Sequence, residues 1–228
     1  MKYTVISGDI IASSSIDSKE KGILESQLQE FLSQLQADYD VFSRIIKGDY
    51  VECVVPNTGE ALKIALAIKC FIKSLPIEKA VSGKEKNRFK AFKTYGIRLA
   101  IGYGELSRFD AQEGIIDGEA IYLSGRWITE NSTHSKQRIV VKNTLQFLSN
   151  DDKLNRGFEP LLMLLDLTIN KATSRQCQIA YLKLLGKSEE QIASDLSISQ
   201  PVVNQHSTAL GYNAIESAVN YFQYTITE

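Results

Sequence analysis

Two aspartates, each directly behind a glycine, carry the clearest chemical signal in the chain: Asp9 in SGDII and Asp49 in RIIKGDYVECVVP. Each borders an apolar run rich in β-branched residues, so each belongs near the end of a strand. Two carboxylates at one sheet edge suit Mg²⁺, which takes one or two carboxylates and fills its other positions with water and phosphate oxygens. Asp after Gly is also a good turn residue in its own right. The pair therefore means something only if the two strands are neighbours.

The elements that must position these residues follow from local patterning. Tyr3 to Ile11 predicts a strand, followed by the small-residue run Ala12 to Ser15, a loop whose backbone donors are an alternative phosphate cradle. Asp17 and Glu20 predict a capping box, and Ile23, Leu24, Leu28, Phe31, Leu32 and Leu35 recur at helical spacing to about Ala37. Val41 to Lys47 and Tyr50 to Val55 form a hairpin about Gly48-Asp49, with Val51, Cys53 and Val55 on one face. Ala61 to Leu75 is a largely apolar helix laid across a sheet.

The segment GKEKNRFKAFK, 83 to 93, carries five basic residues against one acidic, with Phe89 and Phe92 interleaved. It fits a solvated loop or a lysine-protected edge strand, with phosphate or nucleic-acid contact as the alternative. Tyr95 to Leu106 returns to strand, and Gly102 and Gly104 in it predict close backbone approach or a bulge. Within that strand Arg98 and Glu105 read as a buried structural pair, with a ligand role as the alternative. After a loop, a helix from Asp117-Gly118 to about Glu130 and a strand RIVVK at 138 to 142 complete the order β-α-β-β-α-β-α-β. That order defines an α+β fold of the ferredoxin-like and cyclase-like split βαβ type.

From about Leu154 only helices are expected: Glu159 to Ala172, Arg175 to Leu185, Ser188 to Leu196, Gln200 to Leu210 and Asn213 to Thr225. The division is therefore 1–152 for the sheet domain and 153–228 for an all-α domain. Residues 188–210 have the pattern of a helix-turn-helix, with Ser188 and Ser199 as N-caps, Pro201 in the first turn, and Ile192, Ala193, Leu196, Ile198 and Val203 at core spacing. Gln200, Asn204 and Gln205 are the candidate base readers, since amides pair naturally with adenine. From Ser174 onward, however, the formal charge is −2 and the second helix has no lysine or arginine, so DNA binding would need dimerisation. Dimerisation or partner docking is the other use for these helices.

Composition narrows the classes. With 228 residues, 43% hydrophobic content and a net charge of −1, a packed globular chain is expected and no global electrostatic case for nucleic acid arises. No run approaches a membrane span and the N-terminus lacks a signal pattern, so a cytoplasmic protein is expected. Cys53, Cys70 and Cys177 sit in apolar segments without CxxC spacing and read as buried thiols, and with only His134 and His206 no zinc site is expected.

SGDII at 7 to 11, IIKGDYVECV at 45 to 54, IRLAIGYGE at 97 to 105 and DGEAIYLSGR at 117 to 126 occur in the order seen in class III nucleotidyl cyclase catalytic domains. Over residues 1 to about 150 the chain resembles that family, and more closely the bacterial SatD family, whose members carry a similar DNA-binding-like tail. The resemblance implies that Asp9 and Asp49 hold a divalent metal such as Mg²⁺ and that Asp9, Ile10, Lys47 and Asp49 bind a nucleoside triphosphate. It also implies that Arg126 stabilises phosphate charge as the catalytic arginine, a role that suits a guanidinium. In cyclases the site closes across a head-to-tail homodimer, so Arg126 of one copy is expected to approach the aspartates of the other. The asparagine that positions ribose falls on Tyr122 and the lysine that reads adenine falls on Ile45, so the resemblance implies metal and triphosphate binding but not base reading or ring positioning.

Three functions fit: a transcriptional regulator joining a nucleotide-binding domain to a DNA-binding one, a working Mg²⁺-dependent cyclase or related phosphoryl-transfer enzyme, and a non-catalytic assembly scaffold. The first accounts for both halves of the chain.

Overall fold

A computed structural model describes residues 1–46, 48–81, 85–132 and 141–228. Strand β1 (Lys2–Ile10) is the central strand and is almost wholly buried. The chain then makes a 3₁₀ turn (Ser13–Ser15) and enters helix α1 (Ser18–Tyr39). Strands β2 (Phe42–Ile46) and β3 (Tyr50–Val55) follow as the expected hairpin, leading to α2 (Ala61–Ser74). Helix α3 (Lys86–Tyr95) precedes the long strand β4 (Ile97–Asp110), the short β5 (Ile115–Gly118), helix α4 (Glu119–Asn131) and β6 (Leu145–Ser149). The sheet order is β2-β3-β1-β4-β5, antiparallel throughout, with β6 added parallel to β4.

Alternation along β1 sorts the two faces. Ile6 and Ile10, with Val51, Cys53, Val55, Leu99 and Ile101, face the main core beneath α1 and α2. Val5 and Val54 face α4 through Ala120, so Ser7 and Asp9 also point to the α4 side. The glycines in β4 have the role expected of them. A Cβ on Gly102 would overlap the Ala120 carbonyl, and one on Gly104 would overlap the Glu119 carboxylate, so α4 lies directly on the strand.

Helices α5 (Asp152–Lys171), α6 (Ser174–Leu184), α7 (Glu189–Leu196), α8 (Gln200–Leu210) and α9 (Tyr212–Thr227) complete the chain. Their starts are written locally: Asp151 caps α5, and reciprocal capping boxes open α6 (Thr173 with Gln176) and α7 (Ser188 with Gln191). The main core runs without a break from the sheet into α5, α6 and α9, where Phe147 packs edge-on against Phe158 at 4.9 Å and Phe222 at 5.7 Å. Helices α7 and α8 build a smaller cluster of Ile192, Ala193 and Val203 against Ile179 and Leu182 of α6.

A buried polar tie reinforces this packing. Lys69 of α2 is fully buried, and its Nζ donates to the carbonyls of Tyr95 and Ile97 at 3.2 Å each and to Thr144 Oγ1 at 2.6 Å, with Asp166 of α5 at 3.3 Å. Asp166 in turn accepts from the Thr144 amide at 2.8 Å and from its hydroxyl. Burial lowers the Lys69 pKa, and the Asp166 charge works against that shift. All three cysteines are free and buried.

Several local expectations are corrected. The basic run forms helix α3, because Phe92 and Phe89, three residues apart, dock on the core and leave the cations outward. LQFLS, 145–149, is the strand that joins β4 in parallel; of the expected strand RIVVK, residues 138–140 lie outside the described residues, and Val141 and Lys142 are not strand. Strand β5 forms where a loop is expected, being only four residues long. Glu20 does not close a capping box; it accepts from the amides of Glu78 and Lys79 at 2.8 and 2.7 Å, while Asp17 alone caps α1. No helix among the described residues is long and apolar enough to cross a membrane.

Candidate functional site

Asp9 is the last but one residue of β1, and the register sets it between Tyr50 of β3 and Arg98 of β4. Asp49 precedes Tyr50 in the hairpin turn, where Gly48 takes φ +77°, and its carbonyl accepts from the Ile10 amide at 2.9 Å. The two aspartates thus stand at the same end of adjacent strands. Ser13, in the turn after β1, donates its hydroxyl to Asp49 Oδ2 at 2.7 Å.

Arg98 is the residue missing from the sequence-based site. It is 1% exposed, and one terminal nitrogen, Nη1, lies 3.1 Å from both oxygens of Asp9. Its Nε is buried without a hydrogen-bond acceptor among the described residues. The expected Arg98–Glu105 pair does not form: Glu105 lies beyond the buried half of β4, exposed, where its amide donates to the Glu119 carboxylate at 3.2 Å. Only the strand order β3-β1-β4 reveals the true partner, which no spacing along the chain encodes.

Tyr50 borders the same site. Burial, followed by the charges of Glu52 and Asp9, pushes its phenol pKa up, against a hydrogen bond with Ser7. Ser7 shares a 2.8 Å hydrogen bond with Ser124 of α4, and a Cβ on Gly125 would meet the Tyr50 hydroxyl in ordinary contact. Glu52 is held by Arg44 through Nε at 2.8 Å and Nη2 at 2.5 Å. The α4 side of the sheet therefore carries a polar strip of Asp9, Arg98, Tyr50, Ser7 and Glu52.

The other sequence-derived residues scatter. Arg126 is exposed on α4, and Tyr122, also exposed, donates its hydroxyl to Asp117, which Ser107 contacts at 2.9 Å. Those bonds lower the Asp117 pKa, the Tyr122 one most. Ile10 has its side chain in the main core, leaving only its backbone for the site, and Ile45 packs against that core. Lys47 lies outside the described residues.

On α8, Gln200, Asn204 and Gln205 are exposed, but Gln200 donates to Glu189 Oε2 at 2.6 Å. Lys183 donates to the other Glu189 oxygen at 2.9 Å, and hydrogen bonds from Lys183, Gln200 and Asn204 lower the Glu189 pKa. Two of the three candidate base readers are thus engaged with a carboxylate of α7.

The donors at the strand ends fit a divalent cation in a particular way. Asp9 and Asp49 carry hard oxygen ligands of the kind Mg²⁺ takes, and the neighbouring Arg98, with one donor unsatisfied among the described residues, has the chemistry that suits a phosphate oxygen. No group of three or more His, Cys, Asp or Glu side chains that could hold a metal occurs among the described residues.

Comparison with solved structures returns nucleotidyl cyclases as a class. A bacterial light-regulated adenylyl cyclase matches at 16% identity and TM-score 0.43, over 64% of this chain and 43% of that one. The dimeric guanylyl cyclase domain of the RhoGC fusion protein from the aquatic fungus Blastocladiella emersonii matches at 18% identity and TM-score 0.40, over 55% of this chain and 71% of that one. The adenylyl cyclase CyaB from P. aeruginosa gives 17% identity and TM-score 0.38, over 57% of this chain and 71% of that one. No protein-family model and no curated protein matches the chain. These likenesses concern the fold alone; any function has to rest on the chain's own residues.

Proposed function

We propose that the chain binds a nucleoside polyphosphate with a divalent cation at the Asp9–Asp49 edge of a cyclase-like sheet domain, 1–152, and that the helical segment 153–228 conveys the bound state to a partner. The observation that carries this reading is the incomplete pairing of Arg98. A fully enclosed guanidinium that meets its carboxylate through one nitrogen and leaves Nε without an acceptor among the described residues is costly unless a further anion completes it.

Asp9 and Asp49 would hold Mg²⁺, which when bound neutralises phosphate charge as a Lewis acid. Ser13 fixes the Asp49 carboxylate, Arg98 supplies a donor to a phosphate oxygen, and the backbones of Ile10 and Asp49 keep the two strand ends together. Lys47 and, across a homodimer, Arg126 are further phosphate contacts in this reading. The adenine-reading position is occupied by Ile45, so selectivity among bases is expected to be weak.

The finer reading, a SatD-like regulator whose α7–α8 pair is a helix-turn-helix, draws on the three-residue turn 197–199 between α7, which opens on a capping box, and α8, which starts after Ser199 with Pro201 in its first turn and no side-chain cap. Base contact there would require Gln200 and Asn204 to leave Glu189, with Gln205 as the remaining reader. The alternative use of the same site is catalysis, by a cyclase or related phosphoryl-transfer enzyme.

Titration calorimetry of ATP and GTP with Mg²⁺, for the wild type and Asp49→Ala, tests the binding reading. Binding that the variant loses about tenfold or more is expected. No binding to the wild type, or binding indifferent to Asp49, would sink it. Chromatography of the same mixtures separates the uses, since cyclic nucleotide or released diphosphate identifies an enzyme. A salt-sensitive mobility shift weakened by Gln205→Ala supports the DNA-binding form.

A further inference from the structure

Helix α5 is apolar on two sides. Its inner face seats Phe158, Leu162, Leu165 and Ile169 in the main core. On its outer face Met163, Leu164 and Leu167 are 50%, 65% and 51% exposed, and with the exposed Pro160 one turn earlier they form a single stripe at helical spacing. A helix that is apolar all round belongs in an interior, and a contiguous exposed apolar stripe marks a contact surface. Among the described residues nothing covers this one.

The stripe is one wall of a groove of about 470 Å³, whose other wall is Thr94 and Tyr95 at the end of α3, together with Val141. Two buried lysines of α2 brace the walls against each other. Lys69 joins the Tyr95 carbonyl to Asp166 of α5, and Lys73 donates to the carbonyls of Thr94 and Asn170. The groove is therefore built into the fold rather than formed by a loop.

Its rim is positive. Lys142 and Lys171 line it and are exposed, and Lys90, exposed one turn before Thr94 on the same flank of α3, extends it. None of the three has an ion-pair partner among the described residues. Asp166, the acid in the lining, is already engaged by Lys69 and Thr144, and Glu159 lies beyond Pro160, toward Arg156. Apolar anchors at helical spacing between unpaired cations suit an occupant that is apolar on one side and anionic along its edges. A walled groove takes projecting side chains, as a helix presents them, where a bilayer offers a flat surface.

We infer that the α5 groove docks an acidic amphipathic helix of a partner protein. Its apolar side chains at i, i+4 and i+7 enter against Met163, Leu164 and Leu167, and its carboxylates meet Lys90, Lys142 and Lys171. This gives a partner of the helical segment a place and a chemistry, and it stands independently of nucleotide binding at the aspartate edge.

The test uses the full chain and two labelled synthetic helical peptides of about four turns, each with leucine at i, i+4 and i+7, one carrying glutamate and the other lysine at the remaining positions. By fluorescence anisotropy the glutamate peptide should bind at least about tenfold tighter than the lysine peptide, and should weaken as salt is raised. Leu164→Ser with Leu167→Ser should reduce that affinity about tenfold or more, and Lys142→Glu with Lys171→Glu should reverse the preference between the peptides. Because both leucines are more than half exposed, the serine variant should unfold in urea at the wild-type midpoint, which separates docking from folding. Equal binding of the two peptides, binding that ignores the leucine pair, or no binding overturns the inference. Sedimentation with phosphatidylserine vesicles in place of peptide binding overturns it in favour of a bilayer, and a concentration-dependent dimer that the serine variant dissolves overturns it in favour of a second copy. Calorimetry of the wild type with ATP and Mg²⁺, run alongside, judges the nucleotide reading separately.

Discussion

Arg98 and Lys69 are the two largest fully buried side chains among the described residues, both cations and both paired with an aspartate, yet their surroundings differ. Lys69 has all its donors engaged, by two carbonyls, a hydroxyl and Asp166, and Asp166 is itself satisfied by Thr144. Arg98 meets Asp9 through one nitrogen and leaves another without an acceptor among the described residues. The first arrangement is closed and clamps α5 to α2 and the sheet. The second, at a strand end beside a turn, leaves a donor unpaired among the described residues, which the proposed anion would complete. Burial alone does not separate a structural ion pair from a ligand site; the accounting of donors does.

Removing the charges one at a time probes this contrast. The largest loss of stability is expected for Lys69→Met, about 3–5 kcal/mol in urea unfolding, because it strands a buried Asp166. Adding Asp166→Leu should restore much of that loss. For Arg98→Met the stability loss should be smaller, about 1–3 kcal/mol, with nucleotide–Mg²⁺ binding falling about tenfold or more by calorimetry. If instead Arg98→Met costs as much as Lys69→Met and leaves binding intact, the two pairs are of one kind.

Gly102→Ala tests the seat of the polar strip without touching charge. The added methyl would meet the Ala120 carbonyl, and a loss of about 1–3 kcal/mol by urea unfolding is expected as α4 is pushed off β4. Cys53, on the opposite face of the sheet, has its thiol pushed by burial from an ordinary 9.0 up to about 12. Because the folded value is raised, that contribution to stability is complete below pH 9 and lost as pH rises through about 12. A thiol reagent at about pH 8 should leave Cys53 unlabelled until the chain is unfolded. The smallest effect belongs to Gln200→Ala, within about 0.5 kcal/mol, since its bond to Glu189 is exposed.

Much of the frame was legible along the chain. The hairpin about Gly48-Asp49, the apolar face of Val51, Cys53 and Val55, and the helices of the last third followed from alternation, turn chemistry and caps such as Ser188. Where local pattern misled, the deciding partner lay elsewhere in the chain. The run at 84 to 93 has the composition of a loop because its charges hide two phenylalanines that dock only once a core exists, and β5 is too short for its pattern to stand out. Glu20 had a local partner available by spacing, and a distant one, the amides of Glu78 and Lys79, prevailed.

Local sequence was enough to place most strands and helices, and to put two aspartates at strand ends, because those outcomes depend on residues a few positions apart. What stands beside the aspartates was settled by packing. Arg98 reaches Asp9 across 89 residues only because β4 lies next to β1. Glu189 likewise takes up Gln200 only once α8 folds against α7. Such partners are set by which surfaces pack together, a property of the whole chain that no local spacing contains.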